Sequence, residues 1–307
     1  MIQYKAFQWL FFFYTYCFLG WCFESAYVSL KSRKLVNRGF MRGPFLPLYG
    51  SGAIMMLIVS MPFQDNLCLT YIAGVIGATA LEYVTGVTME ALFKVRYWDY
   101  SNQAFNFQGH ICLSSSVAWG FLTILMTRVV HRPIEQFVLM IPSNVLFPVT
   151  MILTVYIVVD FTLSFKAAME LRDMLAKMQK LKDEIERLQR RLDVIIAFSN
   201  AEKEQKRQES ELSLSELSLG VRQRFTSLKE IIQNMPSAYG EGIREEIAEL
   251  RGRFSHYADA QRGYREMLGF YKRDMIRNNP TMASAKFRNV LEELKRIVSG
   301  EQREDGE

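Results

Sequence analysis

Long apolar runs fill the first half of the chain, and regularly spaced apolar positions fill the second half. Five runs approach the roughly 20 residues that an α-helix needs to cross a bilayer. They lie at about 7–30, 44–63, 67–93, 111–130 and 137–165. The second and fourth are the least regular, because prolines interrupt one and the polar stretch LSSSVAWG dilutes the other. The pattern predicts an all-α protein whose polytopic membrane domain occupies residues 1–165.

The second half carries a heptad pattern. From residue 171 the apolar residues alternate at steps of three and four: Leu171, Met174, Met178, Leu181, Ile185, Leu188, Leu192 and Ile195. This spacing predicts a coiled coil or helical bundle over residues 166–300, followed by a polar tail at 301–307. A second helix is expected from about 217, a break at 236–242, a third helix from about 243 to Met275, and a short helix to about 298. The stripe at 171–195 either packs within the chain's own core or joins partner helices or further copies of the chain.

The charges suggest an orientation in the membrane. Residues 1–165 hold ten of the 37 Lys and Arg and seven of the 32 Asp and Glu. The first and third predicted loops carry the cations Lys31, Arg33, Lys34, Arg38, Arg42, Lys94 and Arg96. The positive-inside rule then predicts a multi-pass cell-membrane protein, with its N-terminus outside and its C-terminal region cytoplasmic. Arg128 and Arg132 fall on the opposite side of that assignment. The net charge of +5 is too small to indicate a nucleic-acid partner.

The cysteines and the N-terminal run carry little functional information. Cys17, Cys22, Cys68 and Cys112 lie in or beside apolar runs and form no CxxC pair. We expect them to be small buried hydrophobic residues without disulfide bonds. The first apolar run is too long for a signal-peptide core and is expected to be a retained span.

The third predicted span contains two carboxylates on one helical face. Glu82 and Glu90 lie in ALEYVTGVTMEALF, and steps of four connect them with Gly74, Ala78 and Gly86. Such a ridge of small residues lets helices approach closely in lipid. The two carboxylates, about 12 Å apart by helical rise, should therefore face protein. A carboxylate within the bilayer costs a few kcal/mol unless it has a partner or lines a polar cavity.

Partners for these carboxylates are few. Arg38 and Arg42 lie in NRGFMRGPFLPLYGSGA, whose glycines and prolines oppose a continuous helix and predict a re-entrant or interfacial loop. We expect its arginines to meet Glu24 of the first span, Glu82 or Glu90. Further candidates for an ion-pair network are Arg96, Asp99 and His110. Two interpretations of Glu82 remain open: a group in a transport pathway, or one half of a structural pair.

Four sequence blocks together resemble a bacterial family of ABC-transporter permeases, type IV. The blocks are GWCFES, NRGFMRGPFLPLYGSGA, LEYVTGVTMEALFKVRYWDYS and FNFQGHICL, within about residues 10–130. Positions that fit the family pattern are Gly20, Trp21, Glu24, Asn37, Arg38, Gly39, Gly43, Pro44, Pro47, Tyr49, Gly50, Glu82, Glu90, Trp98, Asp99, Tyr100, Asn106, Gly109, Cys112 and Leu113. His110 departs from the pattern, since an arginine is usual there, and this leaves a titratable group where a permanent cation is expected.

The resemblance implies an integral membrane permease subunit. The chain lacks a GxxxxGK[ST] motif, so a separate ATPase subunit would have to hydrolyse the nucleotide. No catalytic, metal or cofactor motif is present: the three histidines do not form HExxH, and GxSxG and GxGxxG are missing. We therefore expect no enzyme activity. Two functions follow from the sequence: a transport component that contacts membrane lipid, or a membrane-anchored scaffold or sensor that acts through its cytoplasmic helices.

Overall fold

The computed structural model describes residues 4–33, 36–199, 214–233, 237–266 and 268–299. About 80% of the structure is helical and almost none of it is strand, so the predicted all-α class is confirmed. The chain divides into two compact units. Unit 1 contains Met1–Met169 with Asp274–Ala283, and unit 2 contains Glu170–Arg273 with Ser284–Glu307. The predicted domain boundary at residue 165 lies within a helix that contributes to both units.

Unit 1 is built from apolar helices joined by short connections. Their bounds in chain order are α1 Ala6–Ser32, α2 Pro47–Ser60 with a 3₁₀ turn Met61–Phe63, α3 Leu67–Phe93, α4 Leu113–Leu125, a π-helical turn Met126–Val130, α5 His131–Met140, and the first part of α6 Ser143–Ser199. A two-residue hairpin pairs β1 Asn106–Phe107 with β2 Ile111–Cys112. The Asn66 side chain caps α3 by accepting from the Leu69 amide at 3.1 Å. Lys94, with a φ of 58°, ends α3 in the left-handed region.

Four stretches of the described chain are long and apolar enough to cross a membrane. They are Ala6–Lys31, Leu67–Phe93, Leu113–Met140 and Ser143–Val194, and Pro47–Phe63 is a shorter apolar helix. Large hydrophobic side chains cover their outer surfaces; Ile76, Phe121 and Ile152, for example, are 65%, 63% and 70% exposed. Apolar surface of this extent indicates a protein or membrane contact.

Four helix boundaries differ from the approximate limits predicted for the spans. The second helix begins at Pro47 rather than 44, because proline favours the first helical position and the residues before it are extended. The fourth begins at Leu113 because residues 111–112 form β2. The fifth begins at Ser143, since Pro142 holds Ile141 in an extended conformation. It does not end at 165 either, because residues 166–199 contain no glycine or proline.

The four cysteines differ in burial, although all were expected to be buried. All four are free, and Cys17 and Cys112 are buried. Cys22 is half-buried and Cys68 is exposed, so the expectation of four buried cysteines is wrong for these two. Cys68 lies in the first turn of α3 between Leu67 and Leu69, which are also exposed.

Helices α3 and α4 pack closely because small residues line their contact. The buried residues of α3 are Thr70, Gly74, Ala78, Glu82, Gly86 and Phe93. A methyl group added at Gly74 would collide with the Thr123 side chain of α4, and one added at Gly120 of α4 would collide with the ring of Tyr71 of α3. Close backbone approach of this kind is the usual basis of helix association in lipid.

A C-terminal segment of the chain belongs to unit 1. Asp274–Ala283, called the return segment below, includes the end of α9 (Phe270–Asn278). Arg96 and Ala283 form an antiparallel β-bridge, with N–O distances of 2.6 and 2.9 Å. The buried Asn279 side chain donates to the Gly39 carbonyl at 3.2 Å. The segment therefore contacts both loops that follow α1 and α3.

Unit 2 has its own apolar core. It contains the remainder of α6, then α7 Leu214–Gln233, α8 Ser237–Glu266, the start of α9, and α10 Arg288–Ser299. Seven of the eight predicted heptad residues, from Leu171 to Leu192, are buried. The side chain of the eighth, Ile195, lies outside the described part. Residues of α6, α7 and α8 form one cluster: Leu181, Ile185, Leu188, Leu192, Leu217, Val221, Ile247, Leu250 and Phe254. Much of the heptad stripe thus packs within its own chain.

Two predictions for unit 2 are wrong. The break expected at 236–242 is shorter, because α8 already begins at Ser237. The expected third helix, from about 243 to Met275, is divided into α8 and α9, since residues 268 and 269 are not helical. Gly269 accounts for this division, because glycine disfavours helix interiors. The polar tail at 301–307 lies outside the described residues.

The close contact between α3 and α4 predicts that replacing Gly74 lowers the stability of unit 1. Gly74→Ala should lower the stability of unit 1 by about 1–3 kcal/mol, because the added methyl group overpacks against Thr123. Gly52→Ala is the matched control, since no atom lies within 4 Å of the added methyl group. It should be neutral or stabilising by up to about 1 kcal/mol. Unfolding of the detergent-solubilised chain can be followed by tryptophan fluorescence, as all four tryptophans lie in unit 1. Equal stability of the two variants would contradict this packing.

The core of unit 2 predicts a second pair of variants. Ile185→Ala should destabilise unit 2 by about 2–5 kcal/mol, since Ile185 is fully buried within one chain. Val194→Ala, at a half-exposed position of the same helix, should change it by less than about 0.5 kcal/mol. Limited proteolysis with mapping of the cleavage sites gives the readout. The loss should be unchanged on tenfold dilution; a strong dependence on concentration would indicate a core shared between copies.

Candidate functional site

Glu82 is a buried carboxylate held by neutral donors. Its side chain lies in the contact between α3 and α4 and is 6% exposed. The indole Nε1 of Trp119 donates to Oε2 at 2.9 Å, and the Ser115 hydroxyl donates to the same oxygen at 3.3 Å. The Tyr100 hydroxyl donates to Oε1 at 3.1 Å. Among the described residues, no Lys, Arg or His lies within 4.0 Å of this carboxylate.

Ser115 and Trp119 reach Glu82 because they share one face of α4. They are four residues apart, so their side chains lie one turn from each other. Both donors lie in LSSSVAWG, where the hydropathy pattern indicated only a diluted apolar span and neither donor was predicted. Polar groups spaced by four within an apolar helix are the signal that could have indicated them.

Glu90 lies near the end of α3 and is ion-paired. The Arg96 Nε donates to Glu90 Oε2 at 2.8 Å, and the His110 Nε2 lies 3.1 Å from the same oxygen. Arg96 also contacts Asp99, with an Nη1–Oδ1 distance of 3.5 Å. Arg96 therefore supplies a permanent cation to Glu90. His110 adds a titratable group at the position where the resemblance described above has an arginine.

The β-hairpin brings His110 to α3. Gln108 and Gly109 have φ angles of 53° and 72°, and positive φ at both central residues is what a type I′ turn requires. The Asn106 side chain accepts from the Gly109 amide at 3.2 Å, and the Trp98 indole donates to the His110 carbonyl at 3.0 Å. A methyl group at Gly86 would lie 2.9 Å from His110 Nδ1, so the glycine provides the space for the imidazole.

Two groups of the connecting segment have shifted pKa values. Burial, and then the charge and hydrogen bond of Glu82, raise the pKa of Tyr100 above its ordinary value, so this hydroxyl remains a donor. Burial opposes ionisation of Asp99. Hydrogen bonds from the Ser101 hydroxyl and amide, together with the charge of Arg96, outweigh that effect and lower the pKa of Asp99.

Glu24 forms a second ion pair at the same end of unit 1. The Arg38 Nε donates to Glu24 Oε1 at 3.3 Å, and the Tyr49 hydroxyl donates to Oε2 at 2.5 Å. Arg38 also donates to the Asn278 carbonyl at 3.4 Å and to the Thr281 hydroxyl at 2.9 Å, both in the return segment. Tyr49 stands on a family-pattern position, but its hydrogen bond to Glu24 was not anticipated.

Arg42 has a different partner from those expected. Its Nε lies 3.6 Å from Asp274 Oδ2 of the return segment, whereas the expected partners were Glu24, Glu82 and Glu90. Asp160 of α6 accepts from the Gly43 amide at 2.8 Å. The Trp21 indole donates to Asn37 Oδ1 at 2.5 Å. These contacts hold the loop at residues 36–46 by its backbone as well as by its arginines.

The candidate residues thus form separate groups within unit 1. Arg96, Glu90, Asp99 and His110 form one, and Glu24 with Arg38 forms another. Glu82 is joined to neither by a direct ion pair in the described chain. Tyr100, which donates to Glu82, also experiences the charge of Glu24. No group of three His, Cys, Asp or Glu residues in the described part is placed to hold a metal ion.

Comparison with known proteins gives one family match. A family model described as "Putative ABC-transporter type IV" matches residues 11–165, about half of the chain. The matched range includes Glu24, Glu82, Glu90 and the residues that contact them within the first half of the chain. No curated protein and no solved structure matches the chain.

The Glu90 group yields a stability prediction. Glu90→Gln should destabilise unit 1 by about 1–3 kcal/mol, because Arg96 and His110 lose their shared charged acceptor in a partly buried site. Glu249→Gln is the matched control. It removes the acceptor of an exposed pair with Arg253 in unit 2, and should cost less than about 1 kcal/mol. Tryptophan fluorescence during chemical unfolding measures the first change, and circular dichroism measures both. A Glu90→Gln variant as stable as the parent chain would contradict the ion-pair geometry.

Proposed function

Since the chain belongs to the family described as "Putative ABC-transporter type IV", we propose that it is a permease-like subunit that works with a separate ATPase. The family and the apolar helices point to a membrane location. The chain would cross the membrane with α1, α2, α3, α4–α5 and the first part of α6. Its N-terminus would lie outside and unit 2 in the cytoplasm. The nucleotide site would belong to the partner, because the chain has no GxxxxGK[ST] motif.

The observation that carries the proposal is the environment of Glu82. An ionisable group within a membrane span is costly, and its usual justification is a structural pair or a functional pathway. The contacts of Glu82 come from an indole, a hydroxyl and a phenol, none of which neutralises a carboxylate. A structural pair would require a cation, so these contacts favour the pathway. Glu82 would then interact with the polar or cationic part of the transported solute, or with a proton.

Glu24 and Glu90 serve a different role in this proposal. Each shares its carboxylate with an arginine that is mostly buried, at 13% and 20% side-chain exposure for Arg38 and Arg96. Removing one member of such a pair leaves an uncompensated charge, so both pairs resist rearrangement. They would fix the loops at the cytoplasmic end, while Glu82 remains available to a solute.

A second function is supported by unit 2. Its helices α6, α7 and α8 enclose their own apolar cluster, as expected of a module that holds its shape without a membrane. A scaffold or sensor would use the outer surface of this unit to bind a cytoplasmic partner. Under this alternative the glutamates of unit 1 serve only to hold the membrane helices together.

Purification from the native membrane in a mild detergent, followed by mass spectrometry, distinguishes the two functions. The permease proposal expects a P-loop ATPase in a stoichiometric amount. Its reproducible absence, with other proteins present in stoichiometric amounts, would refute the permease proposal and favour the scaffold. The ATP turnover of the co-purified ATPase also provides an activity assay for variants of the chain.

Glu82→Gln should keep the fold and abolish coupling. The glutamine oxygen can accept from Trp119 and Ser115 while its amide nitrogen donates to the Tyr100 hydroxyl oxygen, so the stability of unit 1 should change by no more than about 1 kcal/mol. The ATP turnover that the permease stimulates in its partner, measured in proteoliposomes, should fall by about tenfold or more, equivalent to about 1.4 kcal/mol.

Asp160→Asn is the matched control for this variant. It makes the same acid-to-amide change in the apolar half, and its remaining oxygen can still accept from the Gly43 amide. ATP turnover in this control should stay at the level of the parent chain. Full coupling in Glu82→Gln would exclude Glu82 from the pathway, and equal losses in both variants would show that the effect is not specific to Glu82.

A further inference from the structure

A small cavity lies at the end of unit 1 that is remote from the glutamates. Its volume is about 280 Å³, and its walls come from Tyr4 just before α1, the end of α2, the connection from α2 to α3, the start of α3, and the π-turn with α5. Glu82, Glu90 and Glu24 lie toward the other ends of α1 and α3. Thr70, which lines the cavity, is twelve residues from Glu82, which corresponds to about 18 Å of helical rise.

The cavity is lined by charges of both signs. Arg128 and Arg132 provide two cations, and Asp65 and Glu135 provide two carboxylates. No ion pair joins any of these four residues to another within the described chain. Arg128 donates to the Gln64 carbonyl, and Glu135 accepts from the Tyr4 hydroxyl. Opposite charges that line one small space without pairing leave both available to a molecule placed between them.

The wall beneath these charges is held by hydrogen bonds. His131 is 9% exposed, and its Nδ1 lies 2.6 Å from the Tyr16 hydroxyl while its Nε2 lies 3.2 Å from the Tyr4 hydroxyl. Tyr4 donates to Glu135, so its oxygen accepts from Nε2–H, and in a neutral imidazole Nδ1 then accepts from the Tyr16 hydroxyl. This chain of bonds uses both nitrogens of a neutral imidazole. It fixes the position of Glu135 before any ligand binds.

The backbone at this place is irregular. Residues Met126–Val130 form a π-turn, in which the His131 amide donates to the Met126 carbonyl. Two residues later, Pro133 has no amide hydrogen and its ring crowds the carbonyl four residues before it. Arg128 belongs to this turn and lies on the cavity wall. Single π-turns within helices occur frequently at functional sites.

We propose that this cavity binds a small zwitterion that carries an ammonium group and an oxyanion. The oxyanion contacts Arg128 and Arg132, and the ammonium contacts Asp65 and Glu135. A ligand with only one charge would leave two of the four wall charges uncompensated. The same chemistry occurs in a free amino acid and in the headgroup of phosphatidylethanolamine. The site does not depend on the permease proposal, since binding here requires neither an ATPase nor transport.

The test compares each zwitterion with an analogue that lacks one charge. L-alanine is compared with propionate and with ethylamine, by thermal unfolding of the full chain in detergent. Phosphatidylethanolamine is compared with phosphatidylglycerol, by native mass spectrometry. At least one zwitterion should bind about tenfold or more tightly than its analogues, as charged hydrogen bonds to both groups predict. Binding of alanine identifies a free solute, and binding of the lipid alone identifies a headgroup.

Variants at two exposed residues complete the test. Arg132 and Asp65 have no hydrogen-bond or ion-pair partner in the described part of the chain, so Arg132→Gln with Asp65→Asn should keep the fold. This double variant should lose most of the preference for the zwitterion. Arg190→Gln with Asp183→Asn makes the same changes at exposed positions of α6 in unit 2 and should retain it. The proposal is overturned if neither zwitterion binds better than its analogues, or if the double variant keeps the preference.

Discussion

A carboxylate enclosed between two apolar helices must be hydrogen-bonded, and the centre of unit 1 is organised around this requirement. Glu82 obtains its donors from α4 and from the segment that follows α3. Those donors reach it only because α3 and α4 lie close together, which in turn requires Gly74 and Gly120 at their contact. The same small residues therefore serve the packing of the helices and the chemistry of the carboxylate.

Charged residues are ion-paired at one end of unit 1 and unpaired with one another at the other end. At one end, Glu24 and Glu90 are each paired with an arginine, and the loops are held in place. At the other end, four charged residues line a cavity without pairing with one another. Paired charges resist rearrangement because separating them exposes an uncompensated ion, whereas unpaired charges at an open cavity remain available to a ligand. Paired and unpaired charges thus lie toward opposite ends of unit 1.

The sequence predicted which segments are helical more reliably than it predicted which side chains contact one another. Steps of four from Gly74 to Glu90 define one helical face because helix periodicity is local, and the buried residues of α3 follow that spacing. The start of α6 was misplaced because hydropathy does not register the break that Pro142 imposes. The donors to Glu82 and the bonds from Arg38 to the return segment join residues that are distant in the chain. Asn278 is 240 residues from Arg38, and no local pattern specifies such a pairing.

The return segment has a consequence for biosynthesis. Translation proceeds from the N-terminus, so the apolar helices are inserted long before Asp274–Ala283 leaves the ribosome. Until then the Arg96 backbone lacks its β-bridge to Ala283, and Arg38 lacks its bonds to Asn278 and Thr281. The loops after α1 and α3 therefore reach these hydrogen bonds only after the return segment has been synthesised. Formation of these loop contacts is therefore a late step. It follows insertion of the apolar helices and requires synthesis of the return segment.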